Sequence, residues 1–207
     1  MNYAFFILTG YLLGSMMFAW YLPLFIKHVD IREVSDDGNP GTANAFKHAG
    51  VFVGILVIIC ELGKGFVPVF LARRYLNAGR FLFSLVMAAP VAGHAFPVFT
   101  RGKEGGKAIA VSFGVLLGLL PEWRPVLVLV FYYLLFSLFI VIKPHLHRSI
   151  VTFIFFTASC VFLVDGAAVI LGCAMISAIV VLKHLKKYQG EKLTVDLLRN
   201  VYGRRRD

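Results

Sequence analysis

Residues 49–72 read AGVFVGILVIICELGKGFVPVFLA, a run long enough to cross a bilayer core, which takes about 20 predominantly apolar residues per helix. Only Glu61 and Lys64 interrupt it. They stand three residues apart, so on a helix they share a face and can pair. Ionisable groups at membrane depth are expensive and point to function by default, yet a pair that neutralises itself also ties one helix to its neighbours. We read Glu61 and Lys64 as a structural pair, with direct substrate contact as the alternative.

Outward from this run, six more apolar stretches lie at roughly 3–25, 81–100, 107–120, 125–142, 150–164 and 166–183. The expected fold is an all-α membrane protein of seven transmembrane helices. The fourth and sixth stretches are short, and the break between the last two rests only on Asp165-Gly166, so a six-span reading stays open. Composition agrees: apolar residues make up 59% of the 207 and charged ones 15%, against roughly 45–50% and 25% in a soluble domain. Mean hydropathy is +0.80. A soluble chain of this size cannot hide that much apolar surface, which excludes a soluble enzyme, a disordered chain and a disulfide scaffold. Cys60, Cys160 and Cys173 all sit in apolar stretches without a CxxC pair, and read as small core or lipid-facing residues. Met1 to Phe25 lacks a basic n-region and a small-residue cleavage site, so it reads as a retained first span.

The net charge of +10 is not spread as a nucleic-acid-binding stripe would be. It sits in short segments between apolar runs and in the tail from Lys183 to Arg206. Lysine and arginine concentrate on cytoplasmic loops. With the N-terminus outside, sixteen of them fall inside and four (Arg73, Arg74, Arg80 and Arg124) fall outside. The C-terminus is then cytoplasmic. We expect one polytopic membrane domain over 1–183 and a basic cytoplasmic tail over 184–207.

On this topology three loops meet on the cytoplasmic face. The first carries Asp36-Asp37-Gly38-Asn39-Pro40-Gly41-Thr42-Ala43-Asn44, the second Lys103-Glu104-Gly105-Gly106-Lys107, the third Lys143, His145, His147 and Arg148. Glycines and small polar residues let backbone N–H groups approach phosphate oxygens, and a following helix N-terminus adds positive charge. Gly38 to Asn44 and Gly105 to Lys107 have this character, with Lys103 and Lys107 adding charge; the bland reading is a pair of tight interhelical turns. The second loop is not a nucleotide-binding P-loop, because Gly102 is too close to Gly106-Lys107, Ala108 replaces the hydroxyl and no strand precedes it. A GxSxG elbow, an HExxH pair and a Cys/His ligand set are absent from the sequence. His145 and His147 read as part of a solvated basic patch. His94 lies about one turn inside the end of the third stretch, which Pro97 breaks; from periodicity alone it is a structural histidine.

Gly-Asn-Pro-Gly-Thr-Ala-Asn at 38–44, Glu61-Leu-Gly-Lys64-Gly65, and Gly93-His94-x-Phe96-Pro97-Val98-Phe99 followed by Gly105-Gly106-Lys107 together resemble one family, the bacterial acyl-phosphate:glycerol-3-phosphate acyltransferases of the PlsY type. The motifs keep that family's order over roughly residues 10–120. The resemblance implies seven spans with an external N-terminus, in a bacterial inner or plasma membrane. It implies acyl transfer from acyl phosphate to the 1-hydroxyl of sn-glycerol 3-phosphate, giving lysophosphatidic acid for phospholipid biosynthesis. It implies no metal and no cofactor; the partners are the two substrates and membrane lipids, with an acyl-phosphate-forming enzyme as a neighbour, and no nucleic acid. A substrate phosphate serves the family as its own base. Carried over residue by residue, Lys107, His94 and Asn44 become catalytic. Gly38, Asn39, Gly41, Thr42, Asn44, Gly105 and Gly106 bind acyl phosphate; Lys47, Lys103, Lys107 and His184 bind glycerol 3-phosphate.

The sequence also departs from the family pattern. Asp36 and Asp37 stand where Gly and Ser are usual, Thr42-Ala43 replaces Ala-Thr, Lys47 replaces Arg, Glu61 replaces Asp, and the glycine-lysine motif is one residue longer. An acid in a phosphate pocket repels its ligand, and lysine lacks the bidentate grip of arginine. No serine of 143–149 matches convincingly. These departures motivate the alternative of a diverged member that uses another acceptor, or that has lost catalysis and acts as a lipid-binding or regulatory membrane protein.

Overall fold

The computed structural model describes residues 2–100 and 105–197; Lys103, an expected phosphate ligand, lies outside them. The chain enters through α1 (Tyr3–Gly14) and α2 (Phe18–Lys27), one apolar passage broken at residues 15–17. Two short helices follow, α3 (Ile31–Val34) and α4 (Thr42–Ala49). Gly50, at φ +86°, then turns the chain into α5 (Val51–Tyr75), the stretch that opened the sequence reading. At 1.5 Å per residue its 25 residues span about 37 Å, more than a ~30 Å hydrocarbon core.

Next come α6 (Leu82–Ala95), α7 (Ile109–Leu117) and α8 (Arg124–Leu134), the last continued by a π-helical turn over Leu135–Phe139. Strand β1 (Ile140–Lys143) leads into α9 (His145–Leu163) and α10 (Ala167–Lys186), and β2 (Thr194–Leu197) follows. β1 and β2 pair antiparallel, Ile140 opposite Leu197 and Lys143 opposite Thr194. One strand precedes α9 and the other follows α10, so α9 and α10 form a hairpin that opens toward this ribbon.

Among the described residues, four helical segments are long and apolar enough to cross a membrane: Tyr3–Lys27, Val51–Tyr75, His145–Leu163 and Ala167–Lys186. Leu82–Ala95 and Arg124–Phe139 are shorter apolar helices. The chain is thus a helical, multi-pass membrane protein. The apolar stretches fall mainly on helices, but the fifth ends on β1 and the fourth shrinks to the nine residues of α7.

Three expectations are corrected. The segment expected as the first loop is not all loop: Ala45 and Ala49 of α4 pack on Val53 and Val57 of α5 and on Ala19, and burying that small apolar face stabilises a helix too short to persist alone. The segment 143–149 is not a loop either, since β1 ends at Lys143 and α9 begins at His145. In the stretch expected as a basic tail over 184–207, the described part is structured, since α10 runs on to Lys186 and β2 returns to β1.

Small residues bring the helices together, as they do in lipid, where apolar side chains gain nothing by leaving the solvent. A Cβ at Gly14 would fall on the Pro90 carbonyl, one at Gly93 on the Tyr11 carbonyl, and one at Gly114 on the Leu62 carbonyl. These contacts lock α1 to α6 and α5 to α7. Phe83, Phe153, Phe156 and Leu129 are buried in the centre, whereas Phe162 is 86% exposed.

Candidate active site

The first loop is built around a carboxylate. After α3, Gly38 takes φ +58° and returns its N–H to the Ser35 carbonyl at 3.1 Å. This turn brings the Asn39 N–H to Asp37 Oδ1 at 3.1 Å. Asn44, on the first turn of α4, donates through Nδ2 to the same Oδ1 and to the Asn39 carbonyl, both at 2.9 Å. Gly41 caps α4, and a Cβ there would meet the Asn39 amide.

The second loop reaches the first through Lys107. Its Nζ bonds Asp37 Oδ2 at 2.8 Å. Ala108, at φ +61°, then starts α7. Upstream, the Gly106 N–H donates to the His94 carbonyl at 3.2 Å, and a side chain at 106 would run into the His94 ring. Gly105 lies so close to the end of α6 that a Cβ would strike the carbonyls of His94 and Ala95. The glycines therefore permit a close seat on α6.

A third partner arrives from beyond α10, where Lys187 Nζ donates to the Asp37 carbonyl at 3.2 Å. Burial pushes the Asp37 carboxyl up, but the Lys107 ammonium and the Asn39 and Asn44 donors outweigh that and hold it below the usual carboxylate range. Lys47 lies apart from this cluster. It bonds Asp36 at 2.9 Å on the exposed rim and holds that carboxyl low as well.

His94 is engaged elsewhere. Its Nδ1 lies 3.0 Å from Glu61 Oε2 and 2.8 Å from Lys64 Nζ. Lys64 bonds Glu61 at 2.8 Å and the Met16 carbonyl at 2.6 Å. Glu61 Oε1 also accepts the Ala19 N–H at 3.3 Å. The buried Glu61–Lys64 pair thus fastens α5 to the break between α1 and α2 and to α6. The expected neighbourhood of His94 and Lys107 becomes an indirect one, through the Gly106 backbone.

At the third loop, His184 is fully buried, gives Nδ1 to the Val180 carbonyl at 2.8 Å and stacks on His145 with ring centroids 6.1 Å apart. His145 in turn lies within electrostatic reach of Asp37 and Lys107. His147 is not in a solvated patch, for its Nε2 bonds the Glu191 carbonyl at 2.8 Å and its ring meets Tyr188. Sequence reasoning missed two participants. Lys187 falls one turn beyond His184. Ser149, buried, lies four residues after His145 and contacts both His145 Nδ1 at 3.4 Å and the Tyr133 hydroxyl at 3.3 Å. Helical spacing from the two histidines is the signal that would have found them.

Asn39 Oδ1, Thr42 Oγ1 and His184 Nε2 are buried with no hydrogen-bond partner among the described residues. Such atoms each cost about 1–3 kcal/mol unless something pairs with them. Asn39 and Thr42 lie at the end of the bundle that also holds Lys107 and the α4 N-terminus.

The comparisons with known proteins fit this picture. A family model described as glycerol-3-phosphate acyltransferase matches residues 4–190. A glycerol-3-phosphate acyltransferase of Thermotoga petrophila is 37% identical over 116 residues, 56% of this chain and 58% of that protein. One from Pseudomonas paraeruginosa is 40% identical over 114 residues, 55% of this chain and 59% of its own length. The chain thus spans under two thirds of these curated relatives. The crystal structure of PlsY (YgiH), an integral membrane glycerol 3-phosphate acyltransferase, in its glycerol 3-phosphate form superposes with a TM-score of 0.77 at 27% identity, covering 89% of this chain and 88% of that one. Its lysophosphatidic acid form superposes at 0.74 and 26%, with the same coverage. With a family match that runs almost from end to end and a fold shared with a solved member, the chain belongs to the glycerol-3-phosphate acyltransferase family.

Proposed function

We propose that the protein is a membrane acyltransferase that moves a fatty acyl group from acyl phosphate to the 1-hydroxyl of sn-glycerol 3-phosphate, releasing phosphate and lysophosphatidic acid. The observation that carries this reading is the junction of the Gly38–Asn44 and Gly105–Lys107 segments, where Lys107 and Asn44 meet at one carboxylate above an apolar bundle. An acyl phosphate is a mixed anhydride with a good leaving group, so the protein has mainly to position two anions and stabilise charge. Asn44, the backbone from Gly38 to Thr42 and the glycines 105 and 106 hold the donor phosphate. Lys107 lies against the reacting groups; Lys47 and His184 stand on the acceptor side, with Lys103 on the same loop as Lys107. His94 is a positioning residue that backs Gly106. The acyl chain lies in lipid, held by about 0.8 kcal/mol per buried methylene.

The same reading places the N-terminus outside and the site at the cytoplasmic face of a bacterial inner membrane, with seven passages. The lysine and arginine distribution supports the orientation, and the β1–β2 pairing across the α9–α10 hairpin supports counting two passages there. An acyl-phosphate-forming enzyme then supplies the donor at the same face.

A second reading, a diverged member with another acceptor or without catalysis, is favoured by Asp37 sitting where Lys107 and Asn44 would hold a phosphate. The test is to purify the protein in detergent and incubate it with palmitoyl phosphate and glycerol 3-phosphate. Acceptor-dependent release of phosphate together with lysophosphatidic acid supports the first reading. Product no higher than that of Lys107→Ala, with the protein monodisperse, supports the second.

A further inference from the structure

Arg73 and Arg74 belong to the last turn of α5, at the end of the helix away from α4. At the same pole Arg124 is bonded by both Glu122 and Asp165, whereas neither Arg73 nor Arg74 has a carboxylate within 4.0 Å among the described residues. Glu122 lies within electrostatic reach of Arg73, but both its oxygens are bonded to Arg124, at 2.8 and 2.7 Å. The helix dipole welcomes cations at a C-terminus. It does not call for two neighbours to line one cavity, as these do with Phe70, Leu120 and Pro121 over a volume of about 510 Å³. In the proposed orientation the pair also lies on the side where arginine is disfavoured.

The aromatic residues set the depth of this cavity. Tyr75, the last residue of α5, and Trp123, just beyond Pro121, are both exposed, and tyrosine and tryptophan collect at the membrane–water interface. One wall is apolar, formed by Phe70 and the exposed Leu120. The Arg74 guanidinium lies over the Phe70 ring, 4.7 Å from its centroid, and Phe70 stacks on Phe66 at 4.9 Å. A guanidinium attracted to a ring through its face keeps its edge for the forked hydrogen bonds that match phosphate oxygens.

We propose that this cavity is a binding site for an anionic phospholipid, whose phosphate lies between Arg73 and Arg74 and whose acyl chains pass along Phe70 and Leu120 into the bilayer. A free phosphate would use the same guanidiniums but would gain nothing from the apolar wall or the interfacial depth, and these favour the lipid. A zwitterionic headgroup brings a cation of its own beside two arginines that no carboxylate pairs, so a headgroup with net negative charge fits better. The site lies at the pole opposite the Asp37 junction and does not depend on the acyl-transfer reading.

The test uses the intact chain, purified and delipidated in detergent, with phosphatidylglycerol, phosphatidylcholine or inorganic phosphate added back. Saturating phosphatidylglycerol should raise the unfolding temperature of wild type by about 5 °C or more, and phosphatidylcholine should not. The double variant Arg73→Gln with Arg74→Gln, first checked for a monodisperse elution profile, should bind phosphatidylglycerol about tenfold or more weakly. Native mass spectrometry of wild type, which needs no variant, should retain phosphatidylglycerol under conditions that strip phosphatidylcholine. Undiminished binding by the double variant overturns the proposal, as does equal retention of the two lipids. Inorganic phosphate that stabilises wild type as much as phosphatidylglycerol does, and the double variant not at all, overturns lipid as the ligand and leaves a site for a free anion.

Discussion

Lys107 and Asn44 each hold the same carboxylate, from opposite sides and from different parts of the chain. Replacing either one therefore acts on the geometry of both loops. Lys107→Ala removes the ammonium that bonds Oδ2, and should lower turnover by about 100-fold or more; Asn44→Ala should cost about tenfold or more, since the Asn39 N–H still bonds Oδ1. Turnover per mole of monodisperse protein checks both, and wild-type rates in the two variants would remove the site assignment. The Asp37–Lys107 link also has a pH signature. Because the folded carboxyl titrates below its ordinary value, its stabilisation is fully present above about pH 4 and is lost as pH falls through the lower folded value. The gap in melting temperature between wild type and Asp37→Asn should hold steady down to about pH 4 and close below it. A gap that persists unchanged to pH 3 would show that another group carries the link.

At the scale of the helix, the Glu61–Lys64 pair reaches both neighbours of α5, through the Met16 carbonyl and the Ala19 N–H on one side and His94 on the other. Removing one member strands a buried charge, so Glu61→Gln or Lys64→Met alone should destabilise by about 3–5 kcal/mol. The double change Glu61→Leu with Lys64→Met should recover much of that loss. Thermal unfolding in detergent of the three variants decides it; a double variant as unstable as the worse single one would contradict this account. The pairing was legible in the sequence because helical spacing is local: residues 61 and 64 share a face whatever surrounds them. The apolar runs were legible for the same reason. What stayed hidden depended on contacts between distant segments. Asp37 read as a charge that repels ligands, since nothing in residues 36–44 announces that Lys107, seventy positions later, neutralises it. His147 read as solvated because its partner is the Glu191 backbone, and a backbone acceptor has no sequence signature. The α4 helix was missed because Gly41 and Gly50 bracket a short segment whose buried face is two alanines, Ala45 and Ala49, held by Val53 and Val57 of α5 and by Ala19 of α2.

The whole molecule has two unlike poles. At one, Asp37 collects Lys107 and Lys187, with Lys47 and His145 nearby. Near the other, Arg124 bridges Glu122 at 2.7 Å and Asp165 at 2.6 Å, and Arg73 and Arg74 line a cavity with Phe70, Leu120 and Pro121. Acidic partners do not cancel the topogenic effect of a cation, because orientation follows lysine and arginine counts and not net charge. On the proposed topology the majority of these residues supports a cytoplasmic site. Three single cysteines placed in a background with Cys60, Cys160 and Cys173 changed to alanine test the arrangement. Asp165→Cys, at a highly exposed turn, should react with a membrane-impermeant maleimide in intact cells. Lys47→Cys should react only after permeabilisation. Lys192→Cys should behave like Lys47→Cys, because β2 returns the chain to β1 at the start of α9. Inverted labelling of the first two would turn the molecule over and separate the site from a cytoplasmic acyl-phosphate supply. Labelling of Lys192→Cys from outside, with Lys47→Cys protected, would mean that α9 and α10 do not make two passages, and the six-span arrangement would replace the seven.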